Sequence, residues 1–183
     1  MGEEARGKIP LYVVRGVTGV GKSTMLPQLR ALLPGWCVFD ADCVLNGDIG
    51  RRTALEVLRN YSHHIWLRIA DGLHACGQRV LICGVLHDWE FVKYTGYGDF
   101  DIHWVMLDCD AAEHLRRLSA RGIPEGSPIC RDTLEWAERF RSEARQDGYP
   151  IIDTTGLAAA ETARRVAEWA TASGGDVSGR PAV

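Results

Sequence analysis

The sequence predicts an α/β fold in three layers, a five-stranded parallel sheet with helices on both faces, and three observations point there. Short apolar, β-rich runs alternate with stretches of helical composition along the chain. A glycine-rich turn, Gly16 to Ser23, separates the first run from the first helix. A pair of aspartates, Asp40 and Asp42, falls where the second run ends, and parallel sheets gather their ligands at the C-terminal ends of strands.

Taken in order, residues 9–15 form the first strand, and residues 22–33 carry helical composition up to Pro34-Gly35. Pro27 has no N–H for the carbonyl four residues back, so a kink or an early tight turn is expected there. Residues 36–39 read as a second short strand that delivers Asp40 and Asp42. Residues 51–75 read as a long helix closed by Gly77, because Leu55, Leu58, Ile65, Ile69 and Leu73 recur at helical spacing. A third strand (79–83), a short helix (87–93), a fourth strand (102–107) and a helix (111–121) follow. Residues 122–127 are a loop bearing glycine and proline. A helix (131–146), a short fifth strand (151–152) and a last helix (157–172) complete one domain over 1–172, and the Gly-, Ser- and Pro-bearing tail from 173 is expected to be disordered.

A chain of 183 residues has room for one well-buried core, and 46% hydrophobic with 25% charged residues suits a globular protein. The net charge of −3 and pI near 6.1 supply no overall basic field, which makes nucleic acid an unfavoured partner. No run approaches the roughly 20 apolar residues that span a bilayer, and the charged N-terminus is unlike a signal peptide, so a cytoplasmic protein without a membrane partner is expected. The six cysteines, Cys37, Cys43, Cys76, Cys83, Cys109 and Cys130, show no C-x-x-C pair. Most are expected to be buried fillers, and the tryptophans mostly core.

Gly16-Val17-Thr18-Gly19-Val20-Gly21-Lys22-Ser23 fits G-x-x-x-x-G-K-[ST] at every fixed position, between a strand and a helix, as a P-loop requires. Glycines let the backbone N–H groups wrap an anion, the helix N-terminus adds its positive dipole end, Lys22 reaches the β- and γ-phosphates and Ser23 ligates Mg²⁺. Thr24 is placed to assist at the α-phosphate. ATP and Mg²⁺ are the expected cofactors, and the fold class becomes a P-loop NTPase three-layer sandwich. Asp40 and Asp42 point the same way if the strand stays extended through both, one to hold Mg²⁺ and one to take a proton. The competing reading makes Asp42 a turn cap and Asp40 a solvated carboxylate.

The segment Leu33-Pro34-Gly35-Trp36-Cys37-Val38-Phe39-Asp40-Ala41-Asp42, with the P-loop before it, resembles the chloramphenicol phosphotransferase-like family, and more distantly shikimate and gluconate kinases. The resemblance continues through Leu73-His74-Ala75-Cys76-Gly77, Val80-Leu81-Ile82-Cys83, Val105-Met106-Leu107-Asp108-Cys109-Asp110 and Ile152-Asp153-Thr154-Thr155, although the P-loop alone is sharply diagnostic. It implies an ATP-dependent phosphotransferase acting on a hydroxyl of a small molecule, with a role in antibiotic self-protection, and Asp42 as the catalytic base. Relatives often carry acidic residues after the third strand where this chain has Cys83-Gly84-Val85-Leu86-His87-Asp88. His87 and Asp88 there are candidates for the substrate pocket, with a polar helix cap as the alternative.

Arg116, Arg117, Arg121, Arg131, Arg139, Arg141 and Arg145 crowd the 122–127 loop, a region resembling the small lid of P-loop kinases, here about 116–131. Arginines of such a lid stabilise charge on the transferring phosphoryl group, and Arg117 and Arg121 are the favoured pair. Interleaved glutamates offer surface pairing as the alternative for the rest. The readings that compete with a kinase are a nucleotide-dependent switch or ligand-sequestering protein, and a nucleoside or polynucleotide kinase. No N-K-x-D motif supports a GTPase, the chain is short for an AAA-type motor, and the strand ending in Asp108 reads as structural. The acceptor's identity and the oligomeric state stay open.

Overall fold

Six of the seven residues of Ile9–Arg15 (β1) are buried, which suits a strand covered on both faces. In the computed structural model, which describes residues 7–43, 55–94 and 96–173, β1 is the middle of a sheet ordered β2-β3-β1-β4-β5. The other strands are Trp36–Asp40 (β2), Arg79–Gly84 (β3), Phe100–Asp108 (β4) and Ile151–Asp153 (β5), and every pairing is parallel. The helices are Lys22–Leu32 (α1), Leu55–Ala75 (α2), Asp88–Phe91 (α3), Ala111–Ala120 (α4), Pro128–Asp147 (α5) and Ala159–Ser173 (α6).

The period of two along β1 divides the core. Tyr12 and Val14 pack with Met25 and Leu29 of α1, Phe140 of α5 and Val166 of α6, while Leu11 and Val13 pack with Trp66 and Leu67 of α2. Each such side chain, taken fully out of water, contributes about 1.5–3 kcal/mol. The result is the expected three-layer α/β sandwich. Arg15 pairs in register with Gly84 on one side and Met106 on the other, so the crevice at the end of β1 opens between β3 and β4, where the connections diverge.

Several boundaries differ from expectation for local reasons. α1 continues through Pro27 to Leu32 without the early turn, since only the bond to the Ser23 carbonyl is forfeited. α5 starts three residues earlier than expected. The Ser127 hydroxyl accepts the Cys130 N–H at 3.2 Å and Pro128 occupies the first helical turn, a start signal that the loop reading passed over. α4 ends at Ala120 with Arg121 as its cap. Only Cys83, Cys109 and Cys130 are buried; Cys43 and Cys76 are exposed, against the expectation that most would fill the core. Trp66 and Trp104 are buried as expected, and Trp89 is exposed. Residues 51–54 of the expected long helix and the tail from 174 lie outside the described residues.

Candidate phosphate and acceptor site

The loop Gly16–Ser23 runs from β1 into α1, with Gly21 at φ 103° as the cap residue, a backbone that a side chain would strain. Gly16 N–H donates to the Gly84 carbonyl at 3.2 Å, fixing the loop's first residue to the end of β3. Lys22 Nζ donates to the carbonyls of Gly16 at 2.6 Å and Val17 at 2.8 Å. Burial beneath the loop pushes the Lys22 pKa down to about 8, against the pull of Asp42, Cys83 and Asp40.

β2 extends to Asp40, one residue beyond the expected strand, and there the extended backbone stops. Asp40 Oδ1 accepts the Asp42 N–H at 3.0 Å across a turn, while Oδ2 accepts the Ser23 hydroxyl at 2.9 Å. Asp42 follows, exposed. The two aspartates are therefore arranged by a turn and not by strand alternation. A hydroxyl and a carboxylate facing each other are hard oxygen donors, which fit Mg²⁺ held by one or two protein oxygens with phosphate and water completing its shell. Among the described residues no group of three or more His, Cys, Asp or Glu side chains forms a further metal cluster.

Gly19, Gly21 and Thr24 share a cavity of about 340 Å³ with Arg117 of α4, its cap residue Arg121, and Leu157 after β5. Both arginines singled out in the sequence thus line the cavity beside the loop. Arg117 is committed on three sides: Nε donates to Glu113 at 2.7 Å, Nη1 to the Thr154 hydroxyl at 3.0 Å and Nη2 to the Thr154 carbonyl at 2.7 Å. Hydrogen bonds from Arg116 and Arg117 hold the Glu113 carboxyl down to about 2, so the pair keeps its charge at any working pH. Arg141 instead makes two bonds to Asp108, at 2.6 and 3.0 Å, and a third to Glu138, which ties α5 to the end of β4. Arg139 pairs with Glu143 and Arg131 donates to the Gly126 carbonyl.

His87 and Asp88 lie at the seam between α3 and α5. The His87 ring packs against Trp89, Trp136 and Phe140, its Nδ1 has no partner, and burial followed by the nearby Arg15 pushes its pKa down to about 4. Asp88 accepts the Trp89 N–H at 2.7 Å and the Tyr149 hydroxyl at 3.5 Å.

Three participants were passed over in the sequence. Arg15, 1% exposed, donates to Glu143 and lies 3.8 Å over the Phe140 ring. Thr154 bridges Arg117 and the Asp108 carbonyl, which its N–H and hydroxyl approach at 2.8 and 2.9 Å. His114 Nε2 meets the Thr18 carbonyl at 2.7 Å. An arginine closing an apolar run directly before Gly16 was the one visible signal, because the other two depend on pairings between distant segments.

Comparison with known proteins places this geometry. The family described as an AAA domain matches residues 13–145. No curated protein sequence matches the chain. Among solved structures, the chain resembles the tunicamycin resistance protein of Deinococcus radiodurans at 18% identity and a TM-score of 0.58, covering 89% of this chain and 96% of that one. It resembles a gluconokinase of Sinorhizobium meliloti 1021 at 22% identity and 0.57, covering 89% and 92%. A shikimate kinase of Acinetobacter baumannii in complex with shikimate matches at 17% identity and 0.59, covering 93% and 97%. At these identities the likeness is one of fold. Among the described residues no helix is long and apolar enough to cross a membrane.

Proposed function

The chain belongs to the AAA domain family, and on that premise we propose that it transfers the γ-phosphoryl group of ATP to a hydroxyl of a small molecule. The observation that carries the reading is the meeting of Ser23 and Asp40 at 2.9 Å beside Lys22, at the mouth of a complete phosphate-binding loop. The fold shared with a gluconokinase and a shikimate kinase supports the same reaction class.

Loop N–H groups and the α1 N-terminus bind the phosphates, and Lys22 leaves the Gly16 and Val17 carbonyls to meet the β- and γ-oxygens. Ser23 and Asp40 would hold Mg²⁺, which would neutralise charge on the phosphates. Asp42 accepts the proton of the acceptor hydroxyl as its oxygen forms the new bond to phosphorus, and the bond to the β-phosphate oxygen breaks to release ADP. Arg121, at the C-terminal cap of α4 within the lid segment of about 116–131, approaches the transferring group. Arg117 keeps α4 fixed to the β5 end and walls the nucleotide cavity. His87 and Asp88 border the acceptor side through the α3–α5 seam.

The similarity of fold to a tunicamycin resistance protein supports antibiotics as acceptors, with self-protection as the role in a cytoplasmic setting. The test is ATP consumption with Mg²⁺ across aminoglycosides, phenicols, nucleoside and peptide antibiotics, nucleosides and sugar acids, with product mass followed for one added phosphoryl group. A phosphorylated product identifies the acceptor. Tight ATP binding with no product from any class overturns the transfer reading in favour of a ligand-sequestering or switch protein.

A further inference from the structure

A loop that binds an anion through its N–H groups must turn its carbonyls away, because the N–H and C=O of one planar trans peptide point in opposite directions. Each carbonyl turned away from solvent then needs a donor behind it. In this loop the Gly16 and Val17 carbonyls take theirs from Lys22, at 2.6 and 2.8 Å, and the Gly21 carbonyl takes the Met25 N–H at 3.2 Å. Arg117 Nη1 lies at the outer limit, 3.5 Å, from the Gly19 carbonyl. The Thr18 carbonyl takes His114 Nε2 at 2.7 Å.

The Lys22 bonds are temporary on the reading above, since bound phosphate draws that side chain away. His114 belongs to α4 and has no competing role in phosphate binding. It is 2% exposed, so water does not weaken the bond. Its ring lies directly under the crest of the loop: a Cβ on Gly19 would meet His114 Cδ2 at 3.1 Å, Nε2 at 3.2 Å and Leu118 Cδ2 at 3.3 Å. His114 and Leu118, one helical turn apart, therefore form a floor against which the loop rests.

We infer that His114 is a positioning residue for nucleotide binding, its Nε2–H holding the Thr18 carbonyl outward so that the Gly19 N–H of the same peptide unit faces the phosphates. The inference rests on the reading of Gly16–Ser23 as a phosphate cradle. Its chemistry fixes one further thing: a carbonyl oxygen only accepts, so His114 must carry a proton on Nε2.

Two measurements test this on the full chain. MgATP binding is compared by calorimetry for wild type, His114→Leu and His114→Gln, the last placing an amide N–H near the position of Nε2. Loss of a buried hydrogen bond that leaves a carbonyl unpaired is expected to weaken binding about tenfold in His114→Leu, and His114→Gln is expected to recover most of it. Equal binding by wild type and His114→Leu overturns the inference while leaving the cradle standing, as does a His114→Gln variant no better than His114→Leu. Failure of wild type to bind MgATP overturns the cradle reading itself, and the inference with it. Because His114→Leu removes a buried polar contact and can lose its fold, nitrogen-15 NMR of the wild-type imidazole decides independently. A proton on Nε2, slow to exchange, is expected; a neutral ring protonated on Nδ1 alone overturns the proposal.

Discussion

The Ser23 hydroxyl donates to Asp40 Oδ2 at 2.9 Å, joining the first turn of α1 to the last residue of β2 across the intervening strand ends. Replacing Asp40 with Asn keeps the size and removes the charge. The expected outcome is a roughly tenfold higher Mg²⁺ requirement for ATP turnover with metal-free ATP binding nearly unchanged, measured by titrating Mg²⁺ at fixed ATP.

Lys22 supplies a proton-linked prediction. With its pKa lowered to about 8 by burial beneath the loop, Lys22 is partly neutral above pH 8, and anionic phosphate raises that pKa again. ATP binding should therefore take up protons near pH 8.5 and almost none near pH 6.5, read from calorimetry in buffers of different ionisation enthalpy. Lys22→Ala should abolish both the uptake and the phosphoryl transfer. The sign for folding is the reverse of the usual lysine pairing: an ordinary lysine titrates near 10.5, so the unfolded chain holds more protons between about pH 8 and 10.5, and stability rises through that window.

Asp42 is exposed at the turn beyond Asp40. Asp42→Asn is expected to keep ATP affinity and lose about 10²-fold or more in kcat, which single-turnover kinetics on the identified acceptor would show. Full turnover in that variant would move the base to another group.

Glu143 faces a buried cation. Arg15 is 1% exposed, and its Nε and Nη1 have no partner, so the carboxylate supplies its compensation. Burial works against ionised Glu143, yet bonds from Arg15 and Arg139 hold its pKa below the usual carboxylate value. The contribution is therefore present above the ordinary glutamate range and lost as pH falls through the depressed value. Glu143→Gln is expected to destabilise the fold by about 3 kcal/mol at neutral pH, measured by urea unfolding, with the deficit shrinking in acid.

The sequence made the sheet legible because its strands are apolar runs closed by glycines or aspartates, and it made the loop legible because every fixed position of its motif is a residue type the anion demands. Asp40 was legible for the same reason. The orientation of Asp40 and Asp42 was not, since a local turn replaced the extended backbone that alternation presumes. Arg15 with Glu143, and Thr18 with His114, lie 128 and 96 residues apart. No periodicity carries such pairings; they exist only once α4 and α5 have packed across the strand ends. The arginines divided along the same line: Arg116 and Arg139 pair with a glutamate three or four residues away on their own helix, while Arg117 and Arg141 also reach another element.

Gly84 joins the two halves of this site without chemistry of its own. Its carbonyl receives the Gly16 N–H, and a Cβ at this position would stand 2.5 Å from the Ala41 Cβ. Ala41 sits between Asp40 and Asp42, so any side chain at 84 would drive both carboxylates away from the loop together. In a saturation-mutagenesis map, position 84 would consequently behave as a dead spot for every substitution, alanine included, and a search for catalytic groups based on loss of activity would rank a backbone spacer beside Lys22.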